Sequence, residues 1–356
     1  MDRKPPINAE VLPTDRPESF QAAVRRAAEL LRAGEVVALP TETVYGLAAN
    51  ALDPRAVGRI FQVKGRPTHN PIIVHVASLE MAKECVARWP TLADKLAKAF
   101  WPGPLTLVLP RAEAIPGVIT GGGTTVGVRW PSHPFIQAVI RECGFPLAAP
   151  SANRSNAISP TNAGHVRRQL GDRIRLIVDG GQCQVGIEST VLDLTVGPPR
   201  VLRPGMIHEQ ALEAVIGEVS GARCQVSGAK YQVSGGKSQG SGTALRSPGL
   251  LQRHYSPKAK LVVLEWRDDR ELRSHLASFT SHFSRCHVLV HTRIPSPEGW
   301  GRVSVIPHDP EAFARALYAE LHQCDEAGAE WIVVEAPPDT AEWAGIADRL
   351  KRAAVK

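Results

Sequence analysis

The sequence is poor in the features that mark several common protein classes. Its six cysteines, at positions 85, 143, 183, 224, 286 and 324, include no CxxC pair, so neither a disulfide framework nor a zinc ribbon is indicated. No apolar run approaches the ~20 residues that span a bilayer. The opening MDRKPPINAE lacks the apolar core of a signal peptide, and a cytoplasmic location with no membrane partner is expected. Aromatic residues are only 5% of the chain, too few for the stacking platforms of a dedicated RNA-binding surface. There is no GxSxG elbow, since GKSQG at 236 to 240 has no apolar strand before it, and HExxH, GxxxxGK[ST] and a GxGxxG between strand and helix are missing. Serine hydrolase, zincin, P-loop and dinucleotide-binding readings therefore lose their main support.

What remains is a globular chain. Its 356 residues, 43% apolar and 22% charged, predict two domains. The net charge of +7 is unevenly spread: residues 1 to 219 carry +4, 220 to 256 carry +5 and 257 to 356 carry −2. The largest excess lies in the shortest segment, which points to a cationic connector rather than a basic folded face. Within it CQVSGAK at 224 to 230 is nearly repeated as YQVSGGK at 231 to 237, a Gly, Ser, Gln and Lys composition that suits a flexible linker. The expected boundaries are a catalytic domain at 1–219, a basic linker and lid at 220–256, and a small α/β domain at 257–356.

Before the connector, strand-like runs begin at residues 35, 71, 104, 125, 146, 175, 190 and 200, with helical patterns near 18 to 33, 54 to 64, 78 to 100, 133 to 143, 161 to 170 and 207 to 217. Eight strands among fewer helices predict a mixed sheet, because a purely parallel one needs a crossover helix after almost every strand. After the connector, four strand-like runs alternate with helices near 268 to 283, 309 to 328 and 341 to 353, which predicts a small parallel sheet.

Polar residues gather where strands end. PTETVYGLAANA at 40 to 51 puts three hydroxyl residues and Glu42 after a strand, where open α/β sheets bind ligands. In KGRPTHNPIIVHV at 64 to 76, Lys64 and Arg66 flank a glycine and can converge on one anion, and His75 sits inside a β-branched run. Arg129 follows GGGTTVGV in a strand that is otherwise apolar on that side, so it must meet a carboxylate or phosphate. APSANRSNAISPT, beginning at 149, places Ser151, Ser155, Ser159 and Thr161 between a strand and a helix, more hydroxyls than a helix cap requires. Cations and hydroxyls without an obvious protein nucleophile suit phosphoryl or nucleotidyl transfer between bound substrates.

Taken together, PTETVYGL, KGRPTHNPIIVHV, FWPGPLTLVLP, TVGVRWP, APSANRSNAISPT, GIESTVLDL and VLRPG resemble the YrdC-like threonylcarbamoyl-AMP synthase family. SPGLLQRHYSP and the terminal α/β unit are similar to its longer, two-domain form. The resemblance implies an α/β protein with a YrdC-like mixed twisted sheet and flanking helices, plus a smaller Rossmann-like C-terminal domain. It implies a nucleotidyltransferase that condenses L-threonine, bicarbonate and ATP into L-threonylcarbamoyladenylate with release of pyrophosphate, the first step of N6-threonylcarbamoyladenosine formation at position 37 of tRNA. Thr43, His75, Arg129, Ala149 and Ser189 would hold threonine. Lys64, Arg66, Asn70, Thr125, Ser151, Ser159, Arg203 and Tyr255 would meet ATP, with Lys64 and Arg66 catalytic and Mg²⁺ arriving on the nucleotide. A downstream threonylcarbamoyl transferase complex and a weak contact with tRNA are the implied partners. Asn156 stands where the family has glycine after SANxS, a position expected to need positive φ.

A non-catalytic RNA-binding module and a carbamoyl-transfer enzyme are the competing readings. The first is opposed by the low aromatic content, the second by the absence of zinc-finger cysteine spacing.

Overall fold

Strand-like runs outnumber helical ones before the connector, and the computed structural model, which describes residues 8–221 and 254–355, shows the mixed sheet this demands. Its strands are β1 (Glu10–Pro13), β2 (Val37–Leu39), β3 (Gly46–Asn50), β4 (Val74–His75), β5 (Leu105–Pro110), β6 (Thr125–Arg129), β7 (Leu147–Ala148), β8 (Leu176–Asp179), β9 (Thr190–Asp193) and β10 (Arg200–Arg203). They lie in the order β1-β8-β2-β3-β7-β4-β6-β5-β9-β10. Parallel and antiparallel neighbours alternate irregularly: β4 runs parallel to β6, while β7 is antiparallel to both β3 and β4.

Around this sheet lie α1 (Pro17–Arg32), α2 (Pro54–Lys64), α3 (Leu79–Glu84), α4 (Thr91–Phe100), α5 (Pro134–Cys143), α6 (Ala163–Leu170) and α7 (Glu209–Ile216). Helix α1 buries Ala23, Val24, Ala27, Ala28, Leu30 and Leu31, an i, i+3/i+4 stripe. It packs beside α5 with Phe20 and Phe135 edge to face at 5.2 Å. The helix expected over 78 to 100 is two, because the chain leaves α3 at Cys85 and Pro90, unable to continue a helix, caps α4 instead.

Strands β11 (Lys260–Leu264), β12 (Cys286–Val290), β13 (Arg302–Val305) and β14 (Trp331–Glu335) form a second sheet in the order β11-β14-β12-β13, parallel throughout as expected. Helices α8 (Asp269–Ala277), α9 (Pro310–Glu326) and α10 (Ala344–Ala353) accompany it. Among the described residues no helix is long and apolar enough to cross a membrane. The duplicated 224–237 stretch, Arg246 and Arg253 lie outside the described residues.

The two sheets do not keep separate cores. One apolar cluster joins Val44, Ile158, Ile187 and Tyr255 to Phe313, Leu317, Tyr318, Ile346 and Leu350 on α9 and α10. Two glycines allow this approach. A Cβ on Gly186, whose φ is +85°, would lie 2.4 Å from the Ala314 carbonyl oxygen and from Arg315 Cα; one on Gly345 would lie 3.0 Å from Gly205 Cα. Gly186→Val is therefore expected to lower stability by about 2–4 kcal/mol, through forbidden φ and a backbone clash together. Denaturant melts read the effect, and an unchanged midpoint would contradict this packing.

Candidate active site

Local sequence places the first cations. Asp53 caps α2 by accepting from Arg55 N–H, and Pro54 opens the helix; Gly65 ends it in the left-handed region at φ +61°. The turn puts Lys64 and Arg66 on either side of a residue that only glycine adopts easily. Both side chains are buried, 3% and 7% exposed, so the turn is not a solvated basic loop. Lys64 Nζ donates to Ser151 O, Asn153 O and Asn153 Oδ1, which uses its three donors to brace the loop after β7. Arg66 donates to Asn70 O, Asn70 Oδ1 and Pro71 O.

The central strands supply the next group. His75 and Arg129 are paired positions of the parallel strands β4 and β6, so they share one face of the sheet. Arg129 Nη1 donates to Thr43 Oγ1 at 2.9 Å and its Nη2 lies 2.7 Å from Glu42 Oε1. Thr41 Oγ1 lies 2.9 Å from the same threonine hydroxyl and donates to Val44 O, which fixes the β2–β3 loop. Burial would raise the Glu42 carboxyl, but the Arg129 guanidinium outweighs it and holds the pKa below the ordinary carboxylate range.

A third group comes from β9, β10 and the C-terminal helices. Arg203 donates to Ser189 O and Oγ, and Ser189 Oγ lies 2.8 Å from Thr106 Oγ1. Next to Ser189, Glu188 accepts from Ser159 Oγ at 2.6 Å, Tyr318 Oη at 3.1 Å and Arg349 Nε at 2.8 Å. Burial opposes its ionisation, yet Arg349 and Arg203 hold its pKa at about 2.

These groups enclose a cleft of about 540 Å³, counting the solvent at its mouth. Nine of the thirteen expected site residues line it: Thr43, Arg66, His75, Arg129, Ala149, Ser151, Ser189, Arg203 and Tyr255. Four do not. Lys64 and Asn70 stand behind the wall, holding the 151–153 loop and Arg66. Ser159 reaches the cleft only through Glu188. Thr125 lines a smaller neighbouring cavity with Thr106 and Thr120, which shares Ile73 with the first. Three lining residues keep a buried polar atom with no partner among the described residues: His75 Nδ1, His254 Nδ1 and Tyr255 Oη. Buried polar atoms are nearly always paired, so their convergence marks a place for a polar ligand.

Asn156 takes φ +66°, the left-handed conformation anticipated for it, and its carbonyl accepts from Ser256 N–H. That contact places Tyr255, itself at φ +62°, on the cleft wall against Tyr318. None of the hydroxyls of the 151–161 stretch caps α6. Asn162 does, accepting from His165 N–H.

Residues 29–205 match the family described as "Telomere recombination", Sua5/YciO/YrdC, and residues 207–355 match "Threonylcarbamoyl-AMP synthase, C-terminal domain". The threonylcarbamoyl-AMP synthase of Pyrococcus abyssi is 41% identical over 333 residues, 93% of each chain. That of Bacillus subtilis is 39% identical over 351 residues, 96% of this chain and 95% of its own. The chain belongs to the threonylcarbamoyl-AMP synthase family. The crystal structure of P. abyssi Sua5 complexed with L-threonine superposes with a TM-score of 0.85 at 38% identity, covering 97% of this chain and 98% of that one.

In this member of the family, the residues that sequence reasoning passed over are Glu188 and the C-terminal pair Tyr318 and Arg349, while Glu42 was noted at its strand end without its partner. Glu42 and Glu188 lie inside PTETVYGL and GIESTVLDL, so a signal was present: a carboxylate in a stretch that is otherwise buried needs a cation. Their partners lie 87 and 161 residues further along the chain.

The two cleft histidines set an expected pH dependence. Burial is the main cause that brings His75 and His254 down to about 3, helped by Arg129 for the first and by Arg66, Lys64 and Arg203 for the second. The folded protein keeps both neutral, while the unfolded chain protonates them below about 6.5. Stability contributed by this difference is complete above that pH and is lost as pH falls toward about 3, at about 1.4 kcal/mol per unit for each histidine. Melting temperature is expected to drop between pH 7 and 5, less steeply in His75→Asn. Equal slopes in the two proteins would contradict the burial of a neutral His75.

Proposed function

We propose that the chain condenses L-threonine, bicarbonate and ATP into L-threonylcarbamoyl-AMP and pyrophosphate, a nucleotidyl transfer and the first step of N6-threonylcarbamoyladenosine formation in tRNA. The observation that carries this reading is the set of unpartnered polar atoms on His75, His254 and Tyr255, on a wall that also presents Arg129, Arg66 and Arg203. An amino acid carboxylate fits the Arg129 side, and a polyphosphate fits the Arg66 and Arg203 side. The two substrates then lie in one cleft, with the threonine amine free to take up bicarbonate carbon and lose hydroxide as water. The resulting carbamate oxygen attacks the α-phosphorus in line with the departing pyrophosphate.

The protein contributes position and charge rather than a covalent partner. Arg66 and Arg203 offset charge developing on the phosphates; buried in low dielectric, they do so more strongly than exposed cations would. Lys64 acts on this reading through the 151–153 loop, fixing Ser151 at the cleft edge. Glu188 is engaged by Arg349, Ser159 and Tyr318, and Glu42 is paired through Oε1 with Arg129 and the Ser132 N–H; neither belongs to a carboxylate cluster among the described residues. The His165, His322 and Glu326 grouping is nitrogen-rich, and its Glu326 is paired with Arg168. Among the described residues no carboxylate cluster suits Mg²⁺, and Mg²⁺ is proposed to enter on the triphosphate, keeping its waters. The adenylate, being hydrolysable, would pass to a threonylcarbamoyl transferase complex, with tRNA touching this chain weakly.

Incubation with ATP, Mg²⁺, bicarbonate and labelled L-threonine should yield a threonine-containing adenylate and pyrophosphate. Neither product appearing would overturn the reading. Arg129 is the residue to change for amino-acid recognition, but Arg129→Met alone strands the Glu42 charge. The double change Arg129→Met with Glu42→Gln avoids this. It is expected to weaken threonine binding about 100-fold while ATP binding stays within about threefold, as calorimetry would show. Equal loss of both ligands would contradict the assignment of Arg129 to threonine.

A further inference from the structure

We infer that Arg349, on α10 of the C-terminal sheet, is a positioning residue for adenylate synthesis: its guanidinium fixes Glu188 and, through it, the Ser159 and Ser189 side of the cleft. The inference rests on the function proposed above. The contacts are specific to a guanidinium. Nε donates to Glu188 Oε2 at 2.8 Å, Nη2 to the Glu188 carbonyl at 3.1 Å, and Nη1 to Pro204 O at 2.7 Å. One side chain thus grips both the carboxylate and the backbone of the residue before Ser189, together with the residue after Arg203. A lysine, with one nitrogen, cannot span these three acceptors.

What Arg349 holds is part of the cleft. Glu188 lines it, and its second oxygen accepts from Ser159 Oγ. The Ser159 carbonyl in turn lies 3.2 Å from His322 Nε2 on α9, so both C-terminal helices reach the same corner. Arg349 is 1% exposed and Glu188 6%, so solvent cannot replace either partner. The guanidinium also lies 5.4 Å from the ring of Tyr255, on the cleft wall.

Removing the cation should leave a chemical signature as well as a structural one. Glu188 faces Arg349 from α10, Arg203 from β10 and Tyr318 from α9; Lys64, His254, Tyr255 and Asp348 also act on it or on its partners. Without Arg349 the remaining cations, Arg203 and Lys64, must offset the burial alone, and the carboxyl moves upward. Once protonated, it no longer holds Ser159 as a charged acceptor. Activity should then fall toward the acid end of the range, a limb that the parent protein, with Glu188 held at about 2, does not show.

The experiment compares the parent, Arg349→Met, Arg349→Lys, Glu188→Gln and the Arg349→Met/Glu188→Gln double variant. It measures threonine-dependent pyrophosphate release from pH 5 to 9, with thermal melting of each protein. Arg349→Met is expected to lose at least about tenfold in kcat/KM and to gain an acidic limb. The double variant, in which Glu188 carries no charge and Asp348, which also pairs with Arg349, keeps Arg352, should show no limb and recover part of the loss, and Arg349→Lys should fall between. A parent-like pH profile in Arg349→Met would overturn the inference, as would equal impairment of single and double variants at every pH. If Arg349→Met does not fold, Arg349→Lys carries the test: a parent-like rate and profile there overturns it. A parent protein that makes no adenylate at all would count against the proposed function instead.

Discussion

Three guanidiniums, those of Arg66, Arg129 and Arg203, face one cleft on whose wall Glu188 is the single carboxylate among the described residues. Concentrating that much positive charge inside a protein is costly, because burial removes the water that would solvate it. Most of the polar architecture around the cleft answers this one constraint. Arg66 is held by Asn70 and Pro71, Arg129 by Glu42, Thr43 and Gly103, and Arg203 by the carbonyl and hydroxyl of Ser189. The excess left after these contacts is what a triphosphate and an amino-acid carboxylate would neutralise. A ligand of opposite charge then stabilises the folded protein as well as binding to it.

The same constraint explains why the C-terminal sheet sits where it does. Glu188 is surrounded by groups from both sheets: Ser159 and Arg203 from the first, Tyr318 and Arg349 from the second. The apolar cluster that runs from Val44 and Ile158 into α9 and α10 excludes water from this corner, and Gly186 and Gly345 let the backbones close over it. Packing and electrostatics therefore act on the same few residues. The second sheet completes the wall of the first sheet's cleft.

Much of this was legible in the sequence. The mixed first sheet, the parallel second one and the buried cation at Arg129 follow from local pattern and elementary sterics, and the positive φ of Asn156 from the glycine that the family carries there. Two strands escaped notice. β3 reads GLAAN, which has none of the β-branched or aromatic residues that mark strands, and is held there by pairing with β2 and β7. β1, EVLP, is short and lies at the edge of the sheet. In the site, single residues were readable and their partners were not. Lys64 looked like a phosphate contact because its type and spacing allow that; only the fold shows its ammonium turned onto the 151–153 loop. The Glu188–Arg349 pair joins residues 161 positions apart, beyond the reach of any local pattern.

The central claim is that the ligand cleft and the C-terminal helices form one energetic unit. Backbone hydrogen exchange with and without ATP plus L-threonine tests it most directly. The account predicts slower exchange in α10, over residues 344 to 353, although only Arg349 links that helix to the Glu188 carboxylate on the cleft wall. Protection confined to the 41–46 and 149–159 loops, with α10 unchanged, would contradict it.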